Sequence, residues 1–158
     1  MTLKLGMVGG GQGAFIGRVH RMAARLDGRW ELVAGALSSD PARAAASAAD
    51  LGIAPDRSYS DFAQMALAES SRPDGIDAVA IVTPNHMHFP AAKLALESGF
   101  HVLSDKPATF DLAQAKELVV HHVRLTTQTV RHLVVVAMTA KPISRAPSNV
   151  VAVPNFGA

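Results

Sequence analysis

Cysteine is absent from the 158 residues, which excludes disulfides, thiolate zinc sites and cysteine nucleophiles. Aromatic residues are scarce at 5%, leaving no platform on which nucleic-acid bases would stack, and Lys and Arg form no dense patch. Nucleic acid is therefore not an expected partner. No apolar run reaches the ~18 residues that a membrane span needs. The opening MTLKLGMVGG carries a single Lys and an apolar patch of strand length, too short for a secretory signal. The expectation is a cytoplasmic protein with no membrane partner.

Acid is missing from one end of the chain. Residues 1–117 hold eleven Lys/Arg against thirteen Asp/Glu and net −2, whereas residues 118–158 hold Arg124, Arg131, Lys141 and Arg145 with no acid and net +4. The overall charge of +2 thus comes from a thinly basic tail. What is present in quantity is apolar surface: 49% of the residues, ample for a core at this length.

The first 117 residues alternate strands and helices as a parallel sheet requires. Leu3, Leu5, Met7 and Val8 supply a short strand, and Ile16, Val19, Ala23 and Leu26 recur at helical spacing. Residues 31–37 (ELVAGAL) read as a second strand. Asp40 and Pro41 then open an Ala-rich helix that Gly52 closes. A short segment near residues 57–59 leads to a helix over about 61–70. Residues 76–82 (IDAVAIV) are a buried strand, 90–98 a helix ended by Gly99, and 101–104 the next strand. Asp111 with Gln114 starts a further helix running to about Val123. Residues 130–138 (VRHLVVVAM) predict a sixth strand, and the three prolines of residues 141–158 predict an irregular tail. Right-handed crossovers with this strand count give a doubly wound α/β domain of the Rossmann type.

Between the first strand and helix lies MVGGGQGAFIGRVH, residues 7–20. Glycines at such a turn let the backbone approach a pyrophosphate, while the helix N-terminus aims free N–H groups at its charge. Gly9 and Gly11 take the first two positions. Either Ala14 or, with a longer loop, Gly17 takes the third. The bland alternative is an ordinary tight turn. Gly9, Gly11 and Gly13 also fit an S-adenosylmethionine loop, but Met7 stands where that chemistry usually wants an acid. At the end of the second strand an acid would select NAD by binding both ribose hydroxyls. Ser38 and Ser39 stand there instead, Asp40 is explained as a helix cap, and no Arg follows at once. NAD and NADP both stay open.

Thr83-Pro84-Asn85 follows a buried strand at its carboxyl end, where ligands bind in open α/β sheets. His86 and His88 come next without an acid to complete a metal site. The plainer reading of His88 is a helix-start residue bonded to the preceding loop. Asp105-Lys106-Pro107 ends the following strand on the same edge, where Lys106 either orients a ligand or pairs with Asp105.

Three segments in order, Gly17-Arg18-Val19-His20, Thr83-Pro84-Asn85-His86-Met87-His88, and Ser98 through Pro107 (SGFHVLSDKP), resemble the N-terminal domain of the Gfo/Idh/MocA oxidoreductases. The resemblance covers roughly residues 3–117. It implies that Gly9, Gly11 and the loop of Gln12, Gly13, Ala14, Phe15, Ile16 and Gly17 lie under a dinucleotide pyrophosphate. It also implies that Pro84, Asn85 and His88 flank the nicotinamide side, that Thr83 and Asp105 belong to the cofactor site, and that Lys106 reaches toward nicotinamide and substrate as the catalytic residue. Asp105 replaces the commoner Glu. The parent reaction is hydride exchange between NAD or NADP and a sugar or polyol alcohol.

Family members continue into a second α/β domain that supplies substrate contacts, and nothing in residues 118–158 resembles its beginning. The expectation is an incomplete oxidoreductase that binds cofactor weakly and turns nothing over, with unrelated sequence after residue 117, as a frameshift would leave. A genuine short member with its own tail is the alternative, and the gene's other two frames beyond codon 117 distinguish them. A nucleotide-sensing module and a nonfunctional remnant are rival readings. Apolar surface left by the missing domain predicts either that the tail strand near residues 133–136 covers part of it or that the chain self-associates.

Overall fold

The computed structural model describes residues 2–26, 28–126 and 134–135, with side-chain detail through residue 120. The elements run β1 (Leu3–Gly9), α1 (Phe15–Arg25), β2 (Trp30–Ala36), α2 (Pro41–Asp50), β3 (Ser58–Tyr59), α3 (Phe62–Ser70), β4 (Ala78–Val82), α4 (His88–Glu97), β5 (His101–Ser104), α5 (Leu112–Thr126) and β6 (Val134–Val135). Short 3₁₀ turns at Pro55–Arg57 and Asn85–Met87 precede β3 and α4. The strands form one sheet in the order β3-β2-β1-β4-β5-β6, and every pairing is parallel. This is the doubly wound order, and its direction reverses between β1 and β4.

Alternation along the central strands divides the core in two. Val8, Val79, Ile81 and Val102 face Met65 of α3, Ala91, Ala95 and Leu96 of α4, and Leu118 of α5. Leu5, Met7, Ala78, Ala80 and Val82 face the other way, against Ile16 and Ala24 of α1 and Ala48 of α2. All five residues of β4 are buried, as a strand covered on both faces must be. Full burial of a side chain such as Ile81 contributes roughly 1.5–3 kcal/mol, so the sheet centre is the rigid part on which the loops stand.

Helix signals in the sequence act as expected. The Asp40 carboxylate accepts the Arg43 N–H at 2.8 Å, Asp61 accepts that of Ala63 at 3.1 Å, and Asp111 that of Gln114 at 2.8 Å. The Gln114 side chain reaches back to the Phe110 N–H, at 2.9 Å. α4 begins two residues before Pro90, because a proline in the first turn forfeits only an N–H that has no helical partner. β6 falls inside the strand expected over residues 130–138. The remainder of that segment and the tail of residues 141–158 lie outside the described residues.

One helix face differs from expectation. Ile16 does pack on the core, but so does Ala24, and Gly17 is the buried residue of α1. Ala23 is exposed and Leu26 is 87% exposed. The helix is rotated because Gly17 lies against the backbone of Gly10. Phe15, Met22 and Leu26 consequently form an outward apolar stripe.

Candidate dinucleotide site

Parallel pairing brings all strand ends to one edge. Gly9 is in register with Val82, Val8 with Ala36, and Ile81 with Ser104. The glycine loop, Ser38 and Ser39, Thr83 to Asn85, and Asp105 with Lys106 therefore share the carboxyl edge around the reversal point.

The loop is built for backbone approach. Gly9 has φ +78°, and a Cβ there would lie 2.9 Å from the Val82 carbonyl oxygen. Close packing of helix on strand, the role of the third glycine, falls to Gly17, whose added Cβ would lie 2.4 Å from the Gly10 Cα. Ala14 is instead the N-cap of α1, where it provides no side-chain cap, and the first turn contains no acid. The leading N–H groups of α1 and its dipole are thus left for an anion. Phe15 is 80% exposed.

Gln12 faces α2. Its N–H donates to Ser47 Oγ (3.0 Å), its Nε2 donates to Asp50 Oδ2 (2.7 Å), and its carbonyl accepts from Arg43 Nη2 (2.7 Å). On the other side Arg21 Nη1 donates to the Gly10 carbonyl at 2.6 Å. Burial, with Arg25 adding, lowers the Arg21 pKa from its ordinary value. Arg21, Arg43, Ser47 and Asp50 brace the loop, and sequence reasoning missed all four. Ser47 offered a signal, being the one polar residue in an alanine run that ends up 1% exposed.

Beyond β2, Ser38 Oγ accepts the Asp40 N–H at 3.2 Å, and Ser39 is exposed. Beyond β4, Thr83 Oγ1 is buried and has no hydrogen-bond partner among the described residues. A buried hydroxyl without a partner costs about 1–3 kcal/mol, which a ligand at this edge would relieve. Together with the glycine cradle, this fits a bound dinucleotide. Pro84 and Asn85 are exposed. His88 is 1% exposed. One ring nitrogen lies 2.7 Å from the Thr83 carbonyl oxygen and the other 2.6 Å from that of Pro107. The plainer reading of this histidine describes what is seen: it ties two edge loops together.

Asp105 Oδ1 accepts the Lys106 backbone N–H at 2.9 Å. Lys106 itself is exposed, and its ammonium has no ion pair with Asp105. His20 Nε2 sits 3.9 Å from Asp105 Oδ2. Burial lowers the His20 pKa below its ordinary 6.5, and the Asp105 charge opposes this only in part. The unfolded chain then binds more protons than the folded one as pH falls through 6.5, so stability declines there. Urea titrations at pH 7.5 and 5.5 should show that decline in the wild type and a smaller one in His20→Gln. Equal declines in both would exclude His20 as the source.

Among the described residues no group of three or more His, Asp or Glu is placed to hold a metal ion, and no helix is long and apolar enough to cross a membrane.

The sheet order, the glycine loop at the reversal point and the uncapped helix behind it define a dinucleotide-binding domain of the Rossmann type. Residues 3–132 match the oxidoreductase family with an NAD-binding Rossmann fold, Gfo/Idh/MocA, and the chain belongs to that family. It is 38% identical over 117 residues to the uncharacterized oxidoreductase YfiI of Bacillus subtilis (strain 168), covering 73% of this chain and 30% of that one. The crystal structure of an oxidoreductase from Sinorhizobium meliloti is similar with TM-score 0.76 and 51% identity, over 87% of this chain and 37% of that one. An inositol dehydrogenase homolog from Azotobacter vinelandii, complexed with NADH and myo-inositol, is similar with TM-score 0.80 and 38% identity, over 87% of this chain and 35% of that one. The chain thus spans about a third of the length of these relatives.

Proposed function

We propose that this chain is the cofactor-holding part of a dehydrogenase acting on a secondary alcohol of a sugar or polyol, located in the cytoplasm. The observation that carries the reading is the joint presence, on one sheet edge, of the open glycine cradle, a Thr83 hydroxyl with no hydrogen-bond partner among the described residues, and the exposed Lys106. The similarity to an inositol dehydrogenase homolog supports the substrate class. In this reading the amides of the loop and of the α1 N-terminus hold the pyrophosphate, and Ser38 and Ser39 meet the adenosine ribose. Thr83, Pro84 and Asn85 line the nicotinamide end. His88 and Asp105 fix the two loops that flank it, and Lys106 presents its charge to the substrate oxygen. Bound nicotinamide supplies the hydride acceptor or donor.

The 158 residues by themselves bind cofactor and do not turn it over. The outward stripe of Phe15, Met22 and Leu26 supports self-association.

Calorimetric titration with NAD⁺, NADH and S-adenosylmethionine tests the reading. Saturable one-to-one binding of the nicotinamide dinucleotides alone is the expected result. Binding of S-adenosylmethionine in their place, or no heat from any ligand on folded protein, overturns it.

A further inference from the structure

We infer that copies of this chain associate head to tail, the outward ridge of α1 on one copy lying in a groove between α2 and β3 on the next. The contact rests on the self-association proposed above and is independent of the dinucleotide.

The ridge follows from helix geometry. At about 100° per residue, Phe15, Met22 and Leu26 fall within about 40° of one another around α1, and all three are exposed. Arg18, Arg21 and Arg25 occupy an adjoining arc of about 60°. α1 contains no acid, and these arginines make no ion pair among the described residues. A two-fold contact, ridge against ridge with the helices antiparallel, would bring the arginine arcs together, and like charges oppose it. The occupant that suits the ridge is an apolar groove without basic residues.

The chain carries such a groove. It has a volume of about 590 Å³, passes over the methyl groups of Ala44, Ala45, Ala48 and Ala49 on α2, and reaches Tyr59 of β3. β3 is the edge strand of the sheet, so no further strand closes this side. Small side chains let the ridge of a neighbouring helix come close. The lengths agree, since the ridge from Phe15 to Leu26 spans about 16 Å and the ten residues of α2 about 15 Å. No charged residue lines the groove, while Asp40, Asp56 and Asp61 adjoin its lining residues Pro41, Pro55 and Ser60 in the chain. Asp56 pairs with Arg72. Asp40 and Asp61 are bonded to backbone N–H groups as helix caps, so no cation cancels their charge. No α1 residue lines the groove, so a copy does not fill it with its own ridge. Ridge and groove are different patches, and each copy keeps one of them free after the first contact. Such a contact propagates instead of closing. Three side chains in one groove belong to the small, transient class of interface, below about 1,200 Å², so the association is weak and rises with concentration.

Static light scattering on the full chain at rising concentration tests this, with thermal melts to confirm folding. Wild type should gain mean mass with no plateau at the dimer. The gain should be larger at about 50 mM than at about 500 mM NaCl, since screening weakens the charge match. Met22→Gln with Leu26→Gln removes the ridge, and Ala45→Arg fills the groove and sets a cation against the incoming arginines. Each variant alone should stay monomeric. Mixed one to one, they should form a dimer and stop there, because one supplies only a ridge and the other only a groove. Should Ala45→Arg fail to fold, Ala49→Arg, at another exposed position of the groove, takes its place. A groove variant that associates as wild type does, or two variants that stay monomeric when mixed, overturns the inference while leaving self-association intact. Wild type that is monomeric at every concentration overturns both.

Discussion

Arg57→Met is expected to lower the free energy of unfolding by about 3–5 kcal/mol, a large fraction of the total that a domain of this size commands. The guanidinium pairs two-pronged with Glu69: Nε donates to Oε1 at 3.0 Å, and Nη2 donates to Oε2. The two side chains are 8% and 0% exposed, so water takes little part in solvating either. Tyr59 completes the shell by donating its hydroxyl to Glu69 Oε1 at 3.0 Å. Burial, together with the Glu69 charge, pushes the Tyr59 phenol up to about 12. Methionine at 57 leaves the Glu69 carboxylate in the interior with one neutral donor, and the charge cannot be solvated there. Glu69→Gln should cost less, since Arg57 keeps a second acid, Asp74 Oδ2, at 3.6 Å from Nη1. Replacing both members with apolar residues should recover much of the loss, because the pair's own desolvation disappears with it. Urea denaturation of the three variants checks the series. A loss below about 1 kcal/mol for Arg57→Met would mean that solvent reaches the pair.

This pair also marks the limit of what the sequence discloses. Strands were legible because burial on both faces writes continuous apolar runs, as in β4, and helix starts because Asp40 and Asp111 bear their caps openly. The edge on which the site forms followed from the parallel order alone, since that order sends residues 9–17, Ser38, Thr83 and Lys106 to the same side. Polar contacts between distant residues write no such pattern. Arg57 and Glu69 are twelve residues apart, and Arg43 reaches Gln12 across thirty-one. Neither partner differs in the sequence from a solvated surface charge. His88 was legible for its bond to the preceding loop, whereas its contact with the Pro107 carbonyl needed the fold. The rotation of α1 was hidden for a further reason. A glycine scores as neutral in an apolar period, yet Gly17 dictates which face turns inward.

Gly17→Ala should therefore produce the largest loss of cofactor affinity of any single methyl addition in the loop, with a much smaller loss of stability. The new Cβ would stand 2.4 Å from the Gly10 Cα and 2.6 Å from the Gly10 carbonyl oxygen, where ordinary contacts need about 3.5–4.0 Å. Both atoms are backbone, so no side-chain rotation relieves the overlap. Gly10 cannot retreat, because its own missing Cβ position already lies 2.8 Å from Val82 Cγ2 and 3.0 Å from the Met7 sulfur. The helix must move outward instead. That movement carries the α1 N–H groups away from the pyrophosphate and stretches the 2.6 Å bond from Arg21 to the Gly10 carbonyl. Overpacking of this kind costs about 1–3 kcal/mol, offset by roughly 1 kcal/mol from the better helix propensity of alanine. The variant should remain folded. Affinity for the dinucleotide has no such offset, and a loss of roughly a hundredfold corresponds to about 3 kcal/mol, the scale of one or two charge-assisted hydrogen bonds. Ala14→Gly is the control. Its φ of −86° at the N-cap suits either residue, so binding should stay within about twofold of wild type, since glycine is well accepted at that position. Calorimetry on both variants, with thermal melts alongside, decides the matter. Retained affinity in Gly17→Ala, or a collapse in Ala14→Gly, would return the third-glycine role to position 14.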